Sequence, residues 1–172
     1  VGITWLAPVF GIYFAIKLSG TGEGPDSAGK AIALGVGSVV VLFAGVMLFA
    51  PRPKPLFPGA LPVGLVIVVV AAILPAAGWR RLFSVLLAYG YSVRIPVAIL
   101  MYFAIRGNWG THYDVVPPSF PANVSFWPKY IQIGVLPQLI FWVAFTIVSG
   151  SLFGSIVAAV VHRRKSPEPQ PV

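Results

Sequence analysis

Long apolar runs set the first limit on this chain. Several approach or exceed the roughly 18 residues that read as membrane-spanning, and the polar residues gather between them. Such a run must satisfy every backbone N–H and C=O internally, because the bilayer core holds no water to do it. Composition closes the water-soluble alternative. Charged residues make up 9% of the chain and hydrophobic residues 58%, whereas a soluble domain carries roughly 25% charged residues to cover its outside. The expected fold class is therefore all-α: a polytopic integral membrane helical bundle of about five transmembrane helices. The lipid bilayer is its first partner.

The apolar runs predict spans at about 2–18, 30–50, 61–78, 82–105 and 134–161, within a single transmembrane domain of residues 1–162. The loop "SGTGEGPDSAGK" reads as a flexible connector. Prolines at 51, 53, 55 and 58 forbid helix in "PRPKPLFPG" and favour a stiff extended crossing. A long outer connector is expected over 106–133. The tail, 163–172, is basic and Pro-rich and is expected to be disordered.

The net charge of +8 would suggest nucleic acid in a soluble protein. In this chain the basic residues stand singly or in twos and threes at the ends of apolar runs, where helix anchors belong, so no nucleic-acid partner is expected. With the carboxyl terminus cytoplasmic, the inner segments hold Lys17, Lys30, Arg80, Arg81, Arg163, Arg164 and Lys165. The outer ones hold Arg52, Lys54, Arg106 and Lys129. Seven against four follows the positive-inside rule. The expected location is a bacterial inner (cytoplasmic) membrane. An odd number of spans then puts Val1 outside, and the first residue is not methionine, so processing or a preceding stretch is expected. Trp5, Trp79, Trp109 and Trp127 fall at predicted interfaces, where an amphipathic ring prefers to sit; Trp142 falls inside a span.

Helices associate in lipid through close backbone contact, which small residues four apart permit. The fifth span carries Gly150 and Gly154, extended by Ser151, Ser155 and Ala158. The second offers Ala31 with Gly35 and Ala33 with Gly37. Both are candidate packing faces.

One charge does not fit the anchor pattern. Arg94 lies thirteen residues from Arg81 and twelve from Arg106, roughly 18 to 20 Å of helix from each, so it belongs near the midplane. A central arginine costs about 2.5 to 3.5 kcal/mol on insertion scales. All four acids, Glu23, Asp26, Asp114 and Glu168, fall in loops or the tail. Four answers remain open. One is local: Pro96 frees backbone carbonyls by breaking the helix, Tyr89, Tyr91 and Ser92 add hydroxyls, and the tyrosine rings offer cation–π contact. The others are Asp114 folded back into the bundle, an acid of another subunit, and a bound anion or lipid phosphate.

The outer connector also holds Trp109, His112 and Asp114. The last two share one side of an extended strand and could share a metal, but two ligands do not make a site, so the expected role is a cap over the helix ends and no metal is expected. Asn123-Val-Ser125 fits a glycosylation acceptor. The chain has no cysteine. His112 and His162 are about a membrane thickness apart and cannot share one haem iron. No Asp, Glu or His lies within a span to relay protons, and "GTGEG" lacks the lysine of a phosphate loop. No cofactor and no catalysis are expected.

The element "YGYSVRIP" in the fourth of five spans is similar to the Yip-domain group of small multispan proteins. That likeness covers a few residues of one helix, and no functional residue follows from it. The leading expectation is a non-catalytic structural or assembly subunit of a larger membrane complex, with other membrane subunits as partners. The alternatives are a small channel or transporter for an anionic or polar solute using Arg94 at the Pro96 break, and a lipid- or pigment-binding protein.

Overall fold

The computed structural model describes residues 3–49, 55–118, 120 and 123–165. Arg52, Lys54 and most of the expected disordered tail lie outside these residues. Among the described residues every regular element is helical. Helix α1 (Leu6–Gly20) follows a 3₁₀ turn at Ile3–Trp5. Helix α2 is Ala28–Phe49, and α3 (Ala60–Ile73) tightens into a 3₁₀ turn at Leu74–Ala77. Helix α4 is Arg80–Gly107. The short α5 (Phe126–Tyr130) runs directly into a π-helix at Ile131–Phe141 and then into α6 (Trp142–Lys165).

Four helical stretches, Ala28–Leu48, Ala60–Ala77, Arg80–Gly107 and Phe126–Val161, are long and apolar enough to cross a membrane. The fifth, α1, is apolar but has 15 residues, about 22 Å of helix. The protein is an integral membrane helical bundle.

Two boundaries differ from expectation. The last crossing begins at Phe126 rather than near 134, so the helix takes up the end of the expected connector. Residues 163–165 continue α6 instead of starting the tail. Local chemistry explains the helix ends that hold firm. Asn108 closes α4 in a left-handed conformation (φ 48°) with its N–H on the Ala104 carbonyl, a conformation asparagine tolerates better than most residues. Gly59 opens α3 at φ 89°, where a Cβ would be strained.

Helix α6 is the centre of the bundle and touches α1, α2, α3 and α4. Its contact with α1 is made by small residues on both sides. Ala7, Gly11 and Ala15 are the buried residues of α1, four apart, and they face Gly150 and Gly154. A Cβ built on Gly11 would fall on the Gly150 backbone, and one on Gly154 would lie 2.9 Å from the Gly11 carbonyl oxygen. Without a hydrophobic drive between helices in lipid, backbone approach of this kind is what holds them together. Gly35 packs α2 against Leu152 of α6, where a Cβ would sit 3.1 Å from Cα. Gly37 is not part of any such face: a Cβ there would meet nothing within 4 Å.

The loop between α1 and α2 is tied down rather than a free connector. Trp79 is buried at the α3–α4 corner, and its indole N–H donates to the Glu23 carbonyl at 2.8 Å. Arg81 pairs with the Glu23 carboxylate at 3.2 Å. These contacts put the 21–27 loop and the 78–81 corner at the same end of the bundle, the end that carries Lys30, Arg80 and Arg81. Arg106 and Lys129 mark the opposite end, where α4 finishes and α5 begins.

Candidate functional site

Arg94 sits near the middle of α4, thirteen residues from Arg81 and twelve from Arg106, as its sequence position requires. Its surroundings differ from every local arrangement that the sequence suggested. Helix α4 passes through Pro96 without interruption. The distortion lies on the neighbouring element, where Pro137 stands inside the π-helix. Proline has no N–H to give, and its ring crowds the carbonyl four residues back. A wider π turn relieves that crowding, and π segments gather at functional sites.

That segment supplies the partner. The Arg94 Nη1–H donates to Gln138 Oε1 at 3.2 Å, and Gln138 Nε2 lies 3.6 Å from the Met101 sulfur. One turn on, the Trp142 ring receives the guanidinium at 4.9 Å from its centroid. Tyrosine does not take that place. The Tyr89 ring packs on Phe10 and Phe14 at 4.9 and 5.6 Å, Tyr91 is exposed and lines a separate apolar groove, and the Ser92 hydroxyl donates to the Ala88 carbonyl of its own helix at 2.8 Å. Arg94 is therefore held by a neutral amide and an aromatic face.

Magnitudes show that these contacts are enough to keep the charge in place. A hydrogen bond to a charged group contributes about 1.5–3 kcal/mol, and a desolvated cation–π contact about 2. Together they offset the roughly 2.5–3.5 kcal/mol cost of a central arginine. They do not saturate it. A guanidinium has five N–H donors, and among the described residues one hydrogen bond and no carboxylate engage this one. The side chain is partly exposed. It opens on a cleft of about 30 Å³ lined by Thr4, Leu6 and Ala7 of the amino-terminal turns, Tyr89, Gly90 and Val93 of α4, and Thr146 of α6. The Thr146 hydroxyl is spent on the Trp142 carbonyl at 2.8 Å.

Asp114 does not reach Arg94. Its carboxylate closes its own loop, accepting from the Gly110 N–H at 2.8 Å, the Thr111 N–H at 2.6 Å and the Thr111 hydroxyl at 3.0 Å. Slight burial acts to raise its pKa, and these hydrogen bonds outweigh it, so the group titrates below the ordinary 3.8. His112 is exposed with its ring 5.9 Å from that of Tyr113, and Trp109 is exposed. No group of three or more metal-ligating side chains occurs among the described residues.

Sequence reasoning missed Gln138, Trp142 and Thr146. They were legible as a spacing. Gln138, Trp142, Thr146, Gly150, Gly154 and Ala158 recur every four residues, so the stripe of small residues that packs against α1 continues upward into the residues around Arg94. Fold and site together define a class: a polytopic helical membrane protein with an arginine near the middle of a candidate spanning helix, held by neutral ligands. No family model, curated protein or solved structure matches the chain.

Proposed function

We propose that this protein is a non-catalytic assembly subunit of a membrane complex, in which an acidic side chain of a partner subunit enters the cleft beside Arg94 and completes its coordination. The observation that carries this reading is a partly exposed guanidinium at mid-depth with a single hydrogen bond and no carboxylate from its own described residues. A charge-assisted pair is strong where water is excluded, and a carboxylate from a neighbouring helix would supply it. The size of the cleft favours this over solute transport: about 30 Å³ holds a water or two, or the end of a carboxylate side chain, and is too small for a solute in transit. The spread of Lys and Arg between the two ends supports a cytoplasmic carboxyl terminus.

The test is purification from native membranes in a mild detergent, with companions identified and quantified by mass spectrometry. The wild-type chain is expected to bring down at least one stoichiometric partner that carries Asp or Glu within a span. Arg94→Leu is expected to lose that partner by at least tenfold while still inserting and folding. A wild-type chain that purifies alone, or an Arg94→Leu chain that keeps its companions, refutes the reading.

A further inference from the structure

A second cationic site lies at the opposite end of the bundle from Arg81 and Glu23. The carboxyl end of α4 and the start of α5 converge there around a surface cavity of about 440 Å³ lined by Ile105, Arg106, Phe126, Trp127 and Lys129. The two cations come from different helices, so the fold rather than the local sequence brings them together.

Arg106 is held in place. Its Nη1–H donates to the Tyr102 hydroxyl at 3.1 Å, and its guanidinium lies 6.0 Å from the Tyr102 ring centroid and 5.9 Å from that of Phe126. Those rings belong to a packed aromatic cluster: Tyr102 meets Phe126 and Tyr130 at 5.3 and 5.4 Å, and Phe126 stacks on Tyr130 at 5.9 Å. The Tyr130 hydroxyl in turn donates to the Ala98 carbonyl at 3.1 Å, fixing the cluster to α4. Lys129 is partly exposed, and its ammonium makes no hydrogen bond or ion pair among the described residues. The result is a fixed planar donor beside a mobile point charge, which is the pairing that recognises phosphate.

Depth decides what kind of phosphate. Arg106 stands at the end of the Arg80–Gly107 span and Trp127 at the start of the Phe126–Val161 span. Both therefore lie at the level of lipid headgroups, and the exposed Trp127 ring is a residue that prefers that level. Ile105 adds an apolar side chain to the cavity wall.

We propose that this cavity binds the phosphodiester of an anionic phospholipid headgroup, with Arg106 and Lys129 on the phosphate and Trp127 against the glycerol. The site is independent of Arg94 and of any partner that Arg94 binds.

The full chain in detergent is titrated with short-chain phosphatidylglycerol, with diacylglycerol of the same chain length, and with inorganic phosphate, while thermal unfolding is followed. Saturable stabilisation by phosphatidylglycerol alone is expected. Lys129→Gln is expected to weaken the apparent affinity roughly fivefold, and Arg106→Gln with Lys129→Gln roughly 25-fold, at about one factor of five per cation near a lipid surface. Lys30→Gln, the same loss of charge at the other end, is expected to leave it unchanged. Equal stabilisation by diacylglycerol would mean a lipid annulus held by apolar contact and overturns the proposal. So does stabilisation by inorganic phosphate at the same concentrations, which would make the ligand a free anion. Since Lys129 has no partner to lose, an unaltered affinity in that variant overturns the site even if the double variant fails to fold.

Discussion

Gly11→Val is expected to separate α1 from the bundle. A Cβ at this position meets the Gly150 backbone, and backbone cannot swing aside as a side-chain end can, so the two helices must move apart. The loss spreads along the whole contact, because Ala7, Gly11 and Ala15 meet α6 as one stripe. Overpacking a tight interface costs about 3 kcal/mol or more when no rotamer relieves it, a fall of roughly 10 °C in the melting temperature of a chain this size. Gly37→Val is the matched control. The same change is made where a Cβ meets nothing, and the expected shift is within about 0.5 kcal/mol. Thermal unfolding in detergent, followed by helical circular dichroism, reads both. Equal effects of the two substitutions would show that α1 is not held by backbone approach.

The second large effect is expected at Gln138. Replacing it with leucine leaves the Arg94 guanidinium with no hydrogen-bond acceptor among the described residues, and an unsatisfied charged donor away from water costs more than the net value of the bond it lost. Gln138→Leu is expected to destabilise the isolated chain by about 2–3 kcal/mol. Arg94→Leu combined with Gln138→Leu is expected to recover most of that loss, because removing both partners leaves nothing unpaired. The interaction energy of this double-mutant cycle is then at least about 1 kcal/mol. Strict additivity would show that the 3.2 Å contact contributes nothing.

The helical membrane-bundle fold and the place of Arg94 near the middle of one long helix could both be read from the chain, because each depends on run length and on distance to flanking charges along one helix. What answers Arg94 could not be read that way. The sequence points to acids, anions and groups on α4 itself, whereas the acceptor is a neutral amide 44 residues away. Its placement depends on how α4 packs against the π segment, and local sequence does not encode that. Proline misled for a related reason. Pro96 and Pro137 both stand in apolar helices, and only the second coincides with a change of helical pitch. The packing stripe of α6 is half legible in the sequence: Gly150 and Gly154 mark it and Gly35 of α2 meets the same helix, whereas its counterpart on α1, Ala7, Gly11 and Ala15, has the same spacing with only one glycine to mark it.

The 21–27 loop teaches the same lesson. Its glycines and acids suggest freedom, yet Trp79 and Arg81 from a corner more than fifty residues away hold Glu23 by its carbonyl and its carboxylate. The Trp79 indole is buried there as a tie between two turns. Composition reports what a segment can do alone, and tertiary contact overrides it.

The expected mid-bilayer position of Arg94 underlies both the energetics of the site and the proposed role in assembly. The chain has no cysteine of its own, so single cysteines at Tyr91, Ile95, Ile99, Phe103 and Asn108 of the α4 region can be tested in intact membranes with a membrane-impermeant maleimide, applied from each side in turn. Labelling is expected at 108 alone, with 91 to 103 protected from both sides until detergent is added. Rapid labelling at 95, one residue from Arg94, would put that arginine in water and contradict the account.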